Sequence, residues 1–249
     1  MNTRDWDAAT YDRVSDPQVE WAGEVLERLP LAGDETVLDA GCGSGRVTAM
    51  LLERLPAGCV IAVDSSSSMV EHARAALADR ATVLQADLTE LELDIPMDAV
   101  FSNAVFHWIA DHDRLFERLF AALRPGGRLA AQCGGAGNVE RFHRAADAVG
   151  AEPPYAKYFA GWVRPWNFAG PEETAKRLER AGFTEVDTWL EPRPVAPPDP
   201  TGFLRTVCLR RHLERLPEEL RAGYTDAVRE RCGSELDYVR LNITARRPA

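Results

Sequence analysis

Lysine is almost missing from this chain: only Lys157 and Lys176 occur among 249 residues. Acidic residues outnumber basic ones 39 to 29, for a net charge of −10. Nucleic-acid binding is driven by Lys and Arg neutralising phosphates, so this balance argues against a nucleic-acid partner. The remaining positive charge is arginine, which in so alanine- and arginine-rich a chain reads as composition bias rather than an anion-binding device. The five cysteines (Cys42, Cys59, Cys133, Cys208 and Cys232) contain no C-x-x-C pair, so neither a zinc site nor a disulfide framework is expected. No stretch approaches the roughly 20 apolar residues of a membrane span. Met1–Asp7 is charged and has no apolar signal core. These absences predict a soluble, cytoplasmic protein. Its length and 45% apolar content suit one α/β domain with an appended segment, and no internal repeat is seen.

A third glycine is also missing where it would matter. Val37-Leu38-Asp39-Ala40 reads as a buried strand and runs into Gly41-Cys42-Gly43-Ser44-Gly45, and a helical run opens at Arg46. Glycine lets such a loop turn sharply and approach a ligand closely. The dinucleotide pattern G-x-G-x-x-G would need glycine at position 46 or 48, where Arg46 and Thr48 stand. The loop therefore suits a nucleoside better than a pyrophosphate.

Cys59–Val63 reads as a second strand ending at Asp64, and Thr82–Ala86 as a third ending at Asp87. Asp64 follows Gly43 by 64 − 43 = 21 residues, close to the roughly 20 expected of a carboxylate that binds ribose hydroxyls. Ligands of open α/β sheets lie outside the carboxyl ends of the strands, so Asp39, Asp64 and Asp87 should face one crevice. Three carboxylates repel phosphate. They suit S-adenosylmethionine, which carries an ammonium, a sulfonium, a ribose diol and an adenine amine.

With Phe101-Ser102-Asn103 and Leu123-Arg124-Pro125-Gly126-Gly127-Arg128-Leu129 added in order, the first half of the chain resembles the class I S-adenosylmethionine-dependent methyltransferases. The resemblance implies a Rossmann-like α/β fold: a seven-stranded, mostly parallel sheet with helices on both faces and a helical, aromatic-rich lid insertion. It implies that Gly41, Gly43 and Gly45 pass under the methionine part of the cofactor, with Asp39 near its ammonium. Asp64 would take the ribose hydroxyls, and Asp87 with the Leu88 backbone the adenine. Tyr11 matches a position where related enzymes fold an N-terminal tyrosine over the cofactor; a surface tyrosine is the alternative. Tyr11, Asp64-Ser65-Ser66, Met69, Phe106-His107-Trp108 and the C-terminal helical insertion most resemble the trans-aconitate methyltransferase group, whose members esterify carboxylates. The chain departs from that group at His107 and has no dense arginine cluster for a tricarboxylate.

One domain is expected over 1–249: an N-terminal lid segment (1–30, with a helix from Val19 to Leu29), a cofactor-binding core (31–132), substrate-side insertions (133–170 and 196–232) and the remaining core (171–195 and 233–249). Within it, Ser68-Met69-Val70-Glu71 reads as a capping box. Gly134–Gly137 reads as a hinge-like loop, and 201–231 as helices. A final strand near 238–244 is expected at the sheet edge, beside the strand near 186.

Asn103 and Phe106-His107-Trp108 follow the fourth strand and should border the transferring methyl. His107 is the catalytic candidate, since an imidazole can take a proton from a hydroxyl or amine; a substrate or cofactor contact, or a packed histidine, is the alternative. Trp108 is taken as a pocket wall, and Trp162, Arg164 and Trp166 as substrate contacts. The favoured function is O-methylation of a small carboxylic acid. The alternatives are a natural-product O-, N- or C-methyltransferase using His107 as base, and a cofactor-binding protein without transferase activity.

Overall fold

A computed structural model describes residues 16–249. They form two compact units. The first holds residues 16–136 together with Trp166–Glu191 and Leu241–Ala249; the second holds Gly137–Pro165 and Pro192–Arg240.

The first unit is built on β1 (Thr36–Ala40), β2 (Cys59–Asp64), β3 (Thr82–Gln85), β4 (Met97–Asn103), β5 (Leu123–Gly134), β6 (Thr184–Pro192) and β7 (Val239–Arg246). They make one seven-stranded sheet in the order β3-β2-β1-β4-β5-β7-β6, with β3, β2, β1, β4 and β5 parallel. Side chains alternate across a strand, and here both sets are apolar. Val37, Ala99, Phe101 and Ala130 meet α1 (Asp16–Glu27), α2 (Arg46–Glu53) and α3 (Ser67–Leu77) through Leu26, Leu51 and Leu77. Leu38, Val100, Leu129 and Ile243 meet α4 (His112–Ala122) and α6 (Pro171–Ala181) through Leu115, Leu119 and Leu178. Apolar residues on both faces are what a parallel sheet covered on both sides requires. Helix α6 starts with Pro171 in its first turn beside Glu172 and Glu173, and stops at Gly182 in the left-handed conformation.

Several expectations need correction. The last strand is not at the edge: β7 lies between β5 and β6. Arg247 bonds Gly127 while Gly135 approaches Leu241, so β7 runs against β5. The cap of α3 is Ser66 rather than Ser68; its Oγ accepts the Met69 N–H at 3.4 Å. The boundary between the two units falls after Ala136, inside the expected Gly134–Gly137 loop, but its first two residues serve the sheet. Gly134 ends β5, and a Cβ on Gly135 would fall 2.5 Å from Leu190 Cδ2, so this glycine lets strands close up. The N-terminal helix begins at Asp16, before the expected Val19.

The second unit contains α5 (Glu140–Gly150), α7 (Glu218–Cys232) and short turns between them. Tyr224 of α7 donates its hydroxyl to the Ala146 carbonyl at 2.9 Å, and Arg231 pairs with Glu152 at 2.8 Å. The stretch expected to be helical from 201 is broken by a π turn at Leu204–Cys208. Among the described residues no helix is long and apolar enough to cross a membrane.

Candidate active site

The loop after β1 is held by its own backbone. Gly41 and Cys42 both donate N–H to the Val63 carbonyl, at 2.8 and 2.9 Å, which ties the end of β1 to the end of β2. Its three glycines serve different purposes. Gly41 has φ +91°, and a Cβ there would lie 2.2 Å from Val105 Cγ2. Gly45 has φ +88°, and a Cβ would lie 3.2 Å from the Ala73 Cα of α3. Gly43 has φ +54° with nothing within 4 Å of the Cβ position. Two glycines thus permit internal packing, while the third leaves bare backbone against open space where a ligand can approach.

The carboxylates of β1 and β2 frame this loop. Asp39 is buried, and its Oδ2 accepts the Thr48 hydroxyl at 2.6 Å. Burial pushes its pKa up to about 7, the Asp64 charge adding to the rise while the Thr48 bond opposes it. Asp64 accepts the Gly43 N–H at 3.0 Å and the Ser66 N–H at 2.9 Å, and burial likewise raises its pKa. Two carboxylates, Asp39 held by the Thr48 hydroxyl and Asp64 by backbone N–H groups, with an uncovered glycine beside them, fit a nucleoside that carries a cationic amine and a diol.

Asp87 behaves differently. It is exposed, and its Oδ1 accepts both the N–H and the hydroxyl of Thr89, closing a local turn. Leu88 and Met69 are buried in the core. Ser65 is exposed and offers its carbonyl to Gln85, while its neighbour Ser66 holds Asp64. Tyr11 lies outside the described residues.

On the other side of the loop, β4 ends at Asn103, which is in register with Gln132 of β5. Ser102 donates to the Ala40 carbonyl at 2.6 Å, and Ala104 to the Gln132 carbonyl at 2.7 Å. Ala104 has φ +63°, a strained conformation for a residue with a Cβ. It turns the chain so that Val105 covers Gly41 and Phe106–Trp108 forms a 3-10 turn. His107 is buried, and its Nδ1 accepts the Gly134 N–H at 3.3 Å. A neutral imidazole accepting at Nδ1 carries its proton on Nε2.

Trp166 stands in the first unit, 5.8 Å from Trp108. Trp162 and Arg164 belong to the second: Trp162 meets the His212 ring edge-on at 4.6 Å, and Arg164 pairs with Asp147 at 3.7 Å. Thr48 and Val105 carried no site role in the sequence. Thr48 had one usable signal, a hydroxyl on the face of α2 that carries buried Leu51.

A family model described as a methyltransferase domain matches residues 37–127. Trans-aconitate 2-methyltransferase of Methylobacterium radiotolerans is 35% identical over 234 residues, covering 90% of this chain and 87% of that protein. Its namesake from Methylobacterium nodulans is 37% identical over 187 residues, covering 75% and 67%. Among solved structures, Haemonchus contortus phosphoethanolamine N-methyltransferase 2 with S-adenosyl-L-methionine superposes with TM-score 0.65 at 19% identity. That match covers 97% of this chain but 57% of the Haemonchus contortus chain, and at this identity it speaks for the fold.

Strand order, glycine loop and paired carboxylates together define a class I methyltransferase that uses S-adenosylmethionine and acts on a small molecule. More narrowly, the chain belongs to the family of the trans-aconitate 2-methyltransferases.

Proposed function

We propose that this enzyme methylates a carboxylate oxygen of a small organic acid to give a methyl ester. S-adenosylmethionine, when bound, supplies an electrophilic sulfonium methyl. The chain's own work is to hold the acid in line with it, and orientation alone contributes much of such a rate. Asp39 would hold the cofactor's ammonium, Asp64 its ribose hydroxyls, and the backbone at Gly41, Gly43 and Gly45 its methionine part. Ser65, Met69, Asp87 and Leu88 would border its adenosine, and Asn103 and Trp108 its methyl.

The observation that carries the carboxylate reading is the Gly134 N–H on His107 Nδ1. It engages the lone pair that a general base would use, so the ring serves as an acceptor-side contact. A carboxylate is ionised at neutral pH and needs no base. The names of the two bacterial relatives, both trans-aconitate methyltransferases, point the same way. All five cysteines are free thiols, which suits a reducing compartment, and we assign the enzyme to the cytoplasm.

The test is product analysis across panels of acids, phenols and amines, with pH–rate profiles at saturating cofactor. Methyl esters and a flat profile above pH 6 are expected. Methylated phenols or amines, with a rate rising through an imidazole-like pKa, would replace this reading with base-assisted transfer at His107.

A further inference from the structure

A second histidine stands behind the turn that carries His107 and Trp108. His112 is the first residue of α4 and is buried, and its two ring nitrogens have different partners. Nε2 lies 2.9 Å from the Phe106 carbonyl oxygen, and Nδ1 lies 3.3 Å from Nη1 of Arg177 on α6. A carbonyl only accepts and a guanidinium only donates, so the ring is neutral, protonated on Nε2 and bare on Nδ1. Burial and the Arg177 charge hold its pKa below the ordinary 6.5, opposed by the Phe106 bond and the carboxylates of Glu173 and Asp113. The guanidinium is itself held, pairing with Glu173 at 2.6 Å and Asp113 at 3.6 Å. The rings of Phe106 and His112 both pack on Phe116, at 5.9 and 5.7 Å. The Phe106 carbonyl already accepts the Ile109 N–H at 2.9 Å, so it does not need His112 for its own satisfaction. The imidazole adds a second, directional restraint to the turn. Asn167 restrains the His107 carbonyl at 2.9 Å, and Gly134 the His107 Nδ1 at 3.3 Å.

We propose that His112 is a positioning residue for methyl transfer, and that Arg177 keeps it in the one tautomer that can serve. Acting through the Phe106 carbonyl, the Nε2–H sets the pitch of the turn 106–108 and so the direction in which His107 and Trp108 face the acceptor. The opposite tautomer would point Nδ1–H at the guanidinium and a bare Nε2 at the carbonyl oxygen, making both contacts repulsive. Two partners on opposite sides of the ring therefore select one proton position. Orientation supplies much of the rate in this chemistry, and misplacing a group by about 1 Å can cost on the order of a hundredfold. The inference rests on the proposed placement of His107 and Trp108 beside the transferred methyl, whatever the acceptor class.

Nitrogen NMR of the full chain with labelled histidine reads the tautomer directly, the His112 signals being assigned by their loss in His112→Gln. Nε2–H alone is expected in the wild type, and a mixture of tautomers in Arg177→Met. A wild-type ring protonated on Nδ1 overturns the inference. Kinetics with the best acceptor from the panels above, at saturating S-adenosylmethionine, test the consequence. His112→Leu leaves the Phe106 carbonyl its Ile109 N–H and Arg177 its two carboxylates, so a folded variant is expected. Its kcat should fall about 10- to 100-fold while S-adenosylhomocysteine affinity stays within about twofold of wild type. His112→Gln offers an N–H to the carbonyl and an oxygen to Arg177, and should return to within about threefold of wild type. An unchanged kcat in His112→Leu overturns the positioning role. So does a loss that His112→Gln repeats in full, or one matched by an equal fall in cofactor affinity, since either marks a packing role. Trp108→Leu keeps the two readings apart. If it lowers kcat/KM while His112→Leu does not, only the inference falls; if neither lowers it, the placement of the turn beside the methyl falls too.

Discussion

Asp39 and Thr48 share a 2.6 Å hydrogen bond in a site where both residues are buried. The bond is local in origin: Thr48 sits in the first turn of α2, directly after the loop that follows β1 and its Asp39. Burial holds the Asp39 pKa near about 7, and the Thr48 hydroxyl keeps it from rising further.

The cofactor's affinity should therefore depend on pH. An ammonium pairs with the ionised carboxylate, so below about pH 7 binding must first expel a proton from Asp39. Each pH unit below that point costs about 1.4 kcal/mol, close to tenfold in affinity. Calorimetric titration with S-adenosylhomocysteine should give binding about tenfold weaker at pH 6 than at pH 8. Thr48→Val removes a bond that favours the charged form, so its midpoint should move upward. Asp39→Asn should bind weakly and without this pH dependence. A flat wild-type affinity from pH 6 to 8 would remove Asp39 as the ammonium's partner.

The loop glycines should separate folding from binding. Gly41→Ala forces a Cβ to 2.2 Å from Val105 at φ +91°, so both overlap and backbone strain oppose it. A loss of about 2–4 kcal/mol is expected in urea denaturation, partly restored by Val105→Ala. Gly43→Ala meets nothing within 4 Å, and its φ of +54° costs only about 1 kcal/mol. Its effect should fall on cofactor affinity. Equal stability losses in the two variants would contradict this division.

What the sequence could convey tracks how local each feature is. The strand ends near Asp39 and Asp64 were legible because an apolar run and a carboxylate are contiguous with a glycine turn in the first case and with a serine run opening a helix in the second. The place of β7 was not, because inserting it between β5 and β6 depends on contacts such as Arg247 with Gly127, far apart in sequence. Asp87 looked like its two predecessors, yet the hydroxyl of Thr89 two residues later claims its Oδ1. Trp162, Arg164 and Trp166 read as one set of substrate contacts. They divide between Pro165 and Trp166, and only the hydrogen bonds of Asn167 reveal that Trp166 and Phe168 belong beside His107.

Acid should weaken the second unit through His143 and His212. Both are buried, His143 against Phe142 and His212 among Phe142, Phe159, Trp162 and Tyr224, and burial lowers the pKa of each to about 3 from 6.5. Arg164 adds to both shifts, and His143 to that of His212. Depressed folded values mean that the unfolded chain binds more protons below 6.5. Stability is thus complete above about pH 6.5 and lost progressively toward pH 3, by about 2 kcal/mol per histidine at pH 5. Asp39 acts with the opposite sign, since its raised value favours the fold as pH falls below about 7. His212→Phe should flatten the acid limb of the urea midpoint, whereas Asp39→Asn should steepen it. An acid limb unchanged by His212→Phe would exclude the pair as its origin.

Asn242 of β7 is fully buried, and its Oδ1 accepts from two donors: Gln132 Nε2 of β5 at 2.8 Å, and Arg28 Nη1, just past α1, at 2.5 Å. Its amide donates to Glu191 of β6 at 3.3 Å. One side chain therefore links three neighbouring strands to the N-terminal helix. Asn242→Leu leaves the buried Gln132 amide and the Arg28 guanidinium without that acceptor, and orphaned donors cost more than a hydrogen bond contributes. A loss of about 2–4 kcal/mol is expected in chemical denaturation. Gln132→Leu combined with Asn242→Leu removes one orphan along with the acceptor, so the double variant should be more stable than Asn242→Leu alone. Strict additivity of the two single losses would mean that the bond contributes no coupling, and that the network's stabilisation lies in packing instead.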